Sequence, residues 1–155
     1  MAPVEPPCRA ALRRLYGAAL RDSAPPFAKI YLHCKMNIIA QIIIAIIALE
    51  HLYILYMEMF AWETLGKKTF KGALPSELFR PTKTLAANQG LYNGFLSAGL
   101  IWSLLISNPQ WQIYVAVFFL TCVLIAGLYG AFTASKKIFF VQALPALIGL
   151  IAVHL

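Results

Sequence analysis

The amino-acid sequence predicts an all-α fold: a polytopic membrane protein whose four transmembrane helices form a bundle. Hydrophobic residues make up 61% of the 155 residues and charged residues only 12%, whereas soluble domains carry roughly 25% charged residues. Apolar runs long enough to cross a bilayer recur along the chain. The basic residues, which give a net charge of +7, lie in tails and loops beside these runs. This composition argues against a water-soluble enzyme, a nucleic-acid-binding protein and a disordered chain.

The first predicted helix covers about residues 37–62 and is apolar apart from a few polar side chains. Three of these, Glu50, His51 and Glu58, are ionisable. At 100° per residue they fall within about 120° of one another, and large apolar residues fill the opposite side. We therefore expect one side of this helix to face lipid and the polar side to face protein.

The second and third predicted helices come from one uncharged stretch, residues 84–135, which is too long for a single crossing of about 20 residues. The tetrapeptide SNPQ at 107–110 is typical of a turn, because proline cannot continue a helix. This turn divides the stretch into helices at about 84–106 and 111–134. A fourth helix of minimal length is predicted at about 138–154.

The distribution of basic residues predicts the orientation of these helices. The loop at 63–83 and the turn at 135–137 are rich in lysine and arginine, whereas the turn at 107–110 and the C-terminus carry neither. By the positive-inside rule the 63–83 loop is cytoplasmic and the C-terminus is outside. The expected location is the cell (inner) membrane.

Residues 1–35 form a basic extension that does not fit this orientation, and residues 36–155 are the predicted four-helix membrane domain. Met36 directly precedes the first helix, so one interpretation is that translation begins there and the upstream stretch is a mis-called start. The alternative is a targeting tail, because residues 9–21 are rich in arginine and poor in acidic residues.

Two segments, 50–60 and 87–96, carry the candidate site. A charged side chain such as Asp near the centre of a membrane helix costs about 2.5–3.5 kcal/mol on insertion scales, so it needs a partner or a function. Glu50, His51 and Glu58 are the candidate catalytic residues of an acid–base or proton-handling pocket open toward the cytoplasm. Side chains at matching depth are the candidate ligand-binding residues: Tyr53, Asn88, Gln89, Tyr92 and Asn93.

A structural interpretation of these residues stays open. The polar groups of the first two helices could form an internal hydrogen-bonded network that fixes helix register, and Glu58 could pair with Lys67 or Lys83 of the loop. Gly90 and Gly94 belong to a ridge of small residues, which predicts close packing against another helix. No metal site is predicted, because the later helices carry no carboxylate, and nothing resembles a cofactor site.

The segments EHLYILYMEMF at 50–60 and ANQGLYNGFL at 87–96 resemble a family of small integral membrane proteins. This family is catalogued as domain of unknown function thirteen-oh-four. The resemblance covers about residues 36–155 and implies a four-helix membrane protein without an established activity. It also implies that residues 1–35 lie outside the shared core.

Three functions remain open from the sequence. The first is binding or transport of a small polar or amphipathic molecule, for which a homodimer would be needed, since four helices make a thin transport path. The second is a membrane-embedded isomerase-type enzyme that uses a Glu/His acid–base pair on a lipid-like substrate. The third is a structural or assembly subunit. The expected partners are membrane lipids, a small-molecule ligand and a second copy of the chain, without nucleic acid, metal or cofactor.

Overall fold

The computed structural model describes residues 36–155. This part of the chain is 82% helical and contains no strand, so the predicted all-α class is confirmed. Residues 1–35, and with them both interpretations of the basic extension, lie outside the described residues.

Five α-helices form the described part of the chain, and one of them is a single turn. The four longer ones are named α1 to α4 and span Ile38–Phe60, Lys83–Leu105, Pro109–Thr133 and Leu144–Val153; the single turn is Lys67–Thr69. Two π-helical turns, Trp62–Gly66 and Phe139–Ala143, follow α1 and precede α4, and a 3₁₀ turn covers Ser76–Leu78.

Side-chain caps explain where α1 and α3 begin. The side-chain oxygen of Asn37 accepts a hydrogen bond of 2.8 Å from the Ala40 amide. Asn108 does the same for α3, since its Oδ1 accepts from the amides of Gln110 and Trp111 at 3.0 and 3.1 Å. Pro109 follows at the first helical position, where its missing N–H is not needed. The SNPQ turn is therefore also the start of α3.

The four longer helices pack in a ring. Helix α1 makes its most extensive contacts with α2, α2 packs on α3, and α3 packs on α4 and the π-helical turn before it. Helix α4 returns to α1, where the Asn37 side-chain amide donates to the Ala152 carbonyl at 2.6 Å. The buried core includes side chains of all four helices: Ala40, Ile44, Ile47, Ala48, Leu100, Ile113, Ala116, Leu120, Val123, Ala146, Ala152 and Val153.

Glycines allow two of these helix pairs to approach closely. A Cβ atom on Gly90 of α2 would lie 2.8 Å from Cγ of Met59 and 3.1 Å from the carbonyl oxygen of Leu55, both in α1. A Cβ on Gly127 of α3 would lie 2.7 Å from the backbone nitrogen of Ala143. Contacts this short have no room for a side chain, so the predicted small-residue ridge of α2 is the surface that packs on α1.

Within residues 36–155, two helices are long and apolar enough to cross a membrane, α1 and α3. The segment Phe139–Val153 is apolar but shorter. Helix α2 has 23 residues, and its first half carries the amides of Asn88, Gln89 and Asn93. Membrane insertion, and a bundle of four transmembrane helices, therefore stay predictions.

Candidate functional site

The candidate site lies on the side of α1 that is turned into the bundle. Buried residues recur there every three or four positions, which is the spacing of one helix face. They are Ala40, Ile44, Ile47, Ala48, His51, Ile54, Met57 and Glu58. Two ionisable residues thus belong to an otherwise mostly aliphatic seam, with His51 0% and Glu58 8% exposed.

One nitrogen of the His51 ring is bonded within its own helix. Nδ1 lies 2.9 Å from the carbonyl oxygen of Ile47, one turn earlier. The other nitrogen, Nε2, is buried and has no hydrogen-bond partner in the described part of the chain. A buried polar atom without a partner costs about 1–3 kcal/mol. His51 is therefore held in orientation at one nitrogen and left free at the other.

Glu50 lies at the edge of the same seam. Its side chain is half-buried, and Oε1 is enclosed without a hydrogen-bond partner among residues 36–155. Ile43, two turns earlier on the same side of α1, contacts α4: a Cβ on Gly149 would lie 3.4 Å from its Cγ2. The side of α1 that carries Glu50 is therefore the side next to the fourth helical segment.

A π-helical turn lies at about the depth of Glu50. Two turns along α1 lead from Ile43 to Glu50, and two turns back along the antiparallel last segment lead from Gly149 to Gln142. Gln142 is part of the π-helical turn Phe139–Ala143, which packs on α3 at Gly127. Such turns inside helices are frequent at functional sites. The half-buried Gln142 amide thus lies at about the depth of Glu50, and sequence analysis did not include it among the site residues.

Glu58 has a partner, in contrast to Glu50. Its Oε2 accepts a hydrogen bond of 2.9 Å from Nδ2 of Asn93 in α2. The same amide group donates to the carbonyl of Gln89 at 3.1 Å. The close approach of the helices at Gly90, where a Cβ would lie 3.0 Å from Cβ of Glu58, makes this bond possible. Of the two loop lysines that were considered as partners of Glu58, Lys83 instead lies 3.5 Å from Glu63.

The other candidate ligand-binding side chains lie on the outside of the bundle. Tyr53 is 52% and Tyr92 57% exposed, and Asn88 and Gln89 are exposed as well. Of the eight predicted site residues, the structure joins Asn93 to the Glu58 side chain and, within α2, to the Gln89 backbone, and only the first of these bonds connects two side chains. Helix periodicity groups Asn88 and Tyr92 correctly on one side of α2, but that side is turned away from α1.

A buried interhelical hydrogen bond was missed by the sequence analysis. The hydroxyl of Ser97 donates to the Ala48 carbonyl at 2.7 Å, and both residues are buried. Ser97 lies seven residues after Gly90 and three after Gly94, on the same face of α2. That spacing was the available signal, because serine commonly takes a place among small residues at helix contacts.

The described residues offer no obvious metal site. Within residues 36–155 no group of three or more His, Cys, Asp or Glu side chains is placed to hold a metal ion. The polar atoms left without a partner are Oε1 of Glu50 and Nε2 of His51, and the bonded Glu58–Asn93 pair lies about two turns away. This combination suits a small polar molecule or a proton.

The chain was compared with known proteins. Residues 45–154 match a family described as a protein of unknown function, DUF1304. The uncharacterized protein YpaA of Lactococcus lactis subsp. lactis (strain IL1403) is 36% identical over 118 residues, which are 76% of this chain and 98% of that protein. No solved structure matches the chain. The family match runs from within α1 to the end of α4 and includes every candidate site residue.

Proposed function

The chain belongs to the DUF1304 family, whose description assigns no activity, and from the site itself we propose that it is a multi-pass membrane protein that binds a small polar or amphipathic molecule at Glu50 and His51. The ligand contacts Oε1 of Glu50 and Nε2 of His51. One observation carries the proposal: both atoms are buried and neither has a hydrogen-bond partner among the described residues.

The missing hydrogen bonds of Glu50 and His51 cost free energy of folding. Each of these atoms loses its water on folding and gains no bond in return, at about 1–3 kcal/mol each. Purely structural polar groups avoid this cost, as Ser97 and Asn93 do by bonding to the neighbouring helix. A bound molecule that hydrogen-bonds to Glu50 and His51 would recover the lost free energy, which favours binding over a structural role.

The charge distribution supports the proposed orientation in the cell membrane. We call the end of the bundle formed by residues 61–83 and 134–138 the basic end. Its lysines and its arginine are exposed. Helices α1, α3 and α4 contain no lysine or arginine. We propose that the basic end, including the 63–83 loop, is cytoplasmic, and that the C-terminus is outside. Apolar side chains exposed along the helices would then face lipid, as Phe132 (88%) and Leu105 (74%) do in this arrangement.

The exposed side of α2 is proposed as the contact with a second copy. Asn88, Gln89 and Tyr92 would otherwise face lipid within an apolar bundle, and amide side chains commonly bond across helices in membranes. In a homodimer these groups would meet their counterparts across the interface. This arrangement supplies the width that a single ring of four helices lacks.

An isomerase-type enzyme is the second candidate. The observation that favours it is the adjacency of a free carboxylate and a free imidazole nitrogen, the pair that acid–base catalysis uses. Under this alternative the molecule bound at Glu50 and His51 is a lipid-like substrate and is turned over. A structural or assembly subunit, the third candidate, predicts that neither residue affects any bound molecule.

Native mass spectrometry of the gently extracted protein, with identification of retained lipids and small molecules, tests the proposal. Wild type is compared with Glu50→Gln, and the matched control is Glu77→Gln, which alters an exposed carboxylate of the loop. We expect a defined molecule on wild type and Glu77→Gln that is missing from Glu50→Gln. Identical spectra from three equally folded proteins would reject the site, and chemical change of the retained molecule would favour the enzyme.

A further inference from the structure

We infer that the ligand at Glu50 and His51 is an organic cation with N–H groups, such as a protonated primary amine. In the proposed complex one N–H donates to the Glu50 carboxylate and another to Nε2 of His51. The inference rests on the proposed function and adds the chemical class of the molecule. Three independent observations lead to it: the tautomer of His51, the acceptor character of Glu50, and the absence of lysine and arginine from α1, α3 and α4.

The tautomer of His51 follows from its one hydrogen bond. A backbone carbonyl can only accept, so Nδ1, 2.9 Å from the oxygen of Ile47, carries the hydrogen. An imidazolium ion with the same bond would place a second N–H, on Nε2, in a fully buried position without an acceptor. In the neutral ring, Nε2 is instead a buried lone pair. His51 therefore offers the ligand an acceptor and requires a donor.

In its ionised form, Glu50 requires a donor in the same way. An ionised carboxylate is an acceptor at both oxygens, and its enclosed Oε1 receives no hydrogen bond from any described residue. Glu58, on the same helix, differs from Glu50 because its Oε2 accepts a hydrogen bond of 2.9 Å from the Asn93 side-chain amide. Two neighbouring side chains thus present acceptors that lack donors. A ligand rich in acceptors, such as a carboxylate or phosphate, would meet only more acceptors.

The charge balance adds a second requirement. The charged side chains within α1 are the carboxylates of Glu50 and Glu58, and α3 and α4 carry no charged side chain. The lysine at the start of α2, Lys83, is paired with Glu63 at 3.5 Å. A carboxylate ion held at the depth of Glu50 therefore has no counter-ion from the described helices, and a charge in such surroundings is costly. A positively charged ligand supplies the missing counter-ion as well as the donor.

The aromatic residues argue against a quaternary ammonium ion as the ligand. Proteins hold such ions, which have no N–H, between the faces of aromatic rings. On α1 the tyrosines nearest in sequence, Tyr53 and Tyr56, are 52% and 53% exposed on the outside of the bundle. They do not form a cage around Nε2 of His51. Recognition at this site therefore depends on hydrogen-bond donation.

A series of probes with one common butyl group tests the class. n-Butylammonium is a cation with N–H donors, butyltrimethylammonium a cation without them, n-butanol a neutral donor, and butyrate an anion. The full-length protein in lipid nanodiscs is titrated with each, and ¹⁵N NMR follows the histidine ring nitrogens. His33→Gln and His154→Gln variants identify the signals of His51 by elimination.

We expect n-butylammonium to shift the Nε2 signal saturably, and the other three probes to bind at least about tenfold more weakly, the factor expected for one hydrogen bond to a charged group. Glu50→Gln should remove most of the advantage of n-butylammonium over n-butanol, because both probes can still donate to Nε2 of His51. If this variant does not fold, the relative affinities of the four probes for wild type still test the inferred ligand class. Equal or tighter binding of butyrate, n-butanol or butyltrimethylammonium at His51 would overturn the inferred class.

The two proposals fail in different ways. If wild type retains a molecule that depends on Glu50 but contains no N–H cation, the proposed function stands and the inferred class is wrong. If no retained molecule depends on Glu50, and none of the four probes shifts the His51 signal, both are wrong.

Discussion

Two carboxylates on one helix have opposite surroundings. Glu58 lies near the end of α1, where Gly90 brings α2 close enough for the Asn93 amide to bond to it at 2.9 Å. Glu50 lies two turns earlier, next to the fourth helical segment, and its enclosed oxygen has no partner among residues 36–155. The hydrogen bond of Glu58 joins α1 to α2, whereas Oε1 of Glu50 is left able to accept a hydrogen bond.

Under the proposed function, this difference distinguishes a polar side chain that stabilises the fold from one that binds a ligand. A hydrogen-bonded carboxylate whose partner comes from a neighbouring helix contributes to stability, so its loss should appear as a lower free energy of unfolding. A carboxylate without a partner adds no hydrogen bond to the folded state, so its replacement by the isosteric amide should appear mainly in binding. Four substitutions test this separation, in order of decreasing effect on the free energy of unfolding, measured by titration with a denaturing detergent.

Gly90→Val should have the largest effect, about 3 kcal/mol of destabilisation or failure to fold. The first added carbon would lie 2.8 Å from Met59 and 3.1 Å from the backbone oxygen of Leu55, so α1 and α2 would have to separate. Separation would also break the bond between Glu58 and Asn93. The matched control is Ala98→Val on the exposed side of the same helix, expected within about 0.5 kcal/mol of wild type. Equal effects at both positions would contradict the close contact.

Asn93→Leu should cost about 2 kcal/mol, because it leaves the buried carboxylate of Glu58 without its donor. Adding Glu58→Leu should recover much of that loss, since both polar partners are then absent. Asn88→Leu, which removes an exposed amide from the same helix, serves as the control and should not destabilise the monomer. If Asn93→Leu and Asn88→Leu behave alike, the Glu58–Asn93 bond is not a stabilising contact.

The sequence predicts the fold class and part of the site for definite physical reasons. Composition indicates apolar helices, and the 3.6-residue period groups His51 and Glu58 on one side of α1. Periodicity shows which residues share a side but not which neighbour that side meets. The rotation of α2 is set by the contact of Gly90 with α1, which leaves Asn88 and Tyr92 outside.

The π-helical turn before α4 shows another limit of sequence analysis. Pro145 has no N–H to donate to the carbonyl four residues earlier, so a departure from regular α-helix near it could be expected. Whether the helix bends, ends or widens depends on its neighbours. Here Gly127 lets the backbone at Ala143 approach α3, and the chain forms the π-helical turn that carries Gln142.

Ser97→Ala should cost about 0.6 kcal/mol, the average found for hydrogen bonds between membrane helices. The lost bond joins α2 to the Ala48 carbonyl at 2.7 Å, but that carbonyl keeps the acceptor role it has in its own helix. Ser103→Ala is the matched control, since its buried hydroxyl bonds to Leu100 within α2 at 2.6 Å. A larger loss for Ser103→Ala than for Ser97→Ala would mean that the interhelical bond adds nothing beyond a local one.

Glu50→Gln should have the smallest effect on stability, within about 0.5 kcal/mol of wild type, and the most complete effect on binding. The substitution keeps the shape of the side chain and breaks no bond of the enclosed oxygen, since that oxygen has none in the described chain. Glu58→Leu is the comparison, because it removes the side-chain acceptor of the Asn93 amide and should destabilise by about 1–2 kcal/mol while ligand retention persists. We therefore expect Glu58→Leu to change the unfolding curve and Glu50→Gln to change the native mass spectrum. If Glu50→Gln destabilises the protein as much as Glu58→Leu does, the two carboxylates have the same structural role, and the distinction between them is wrong.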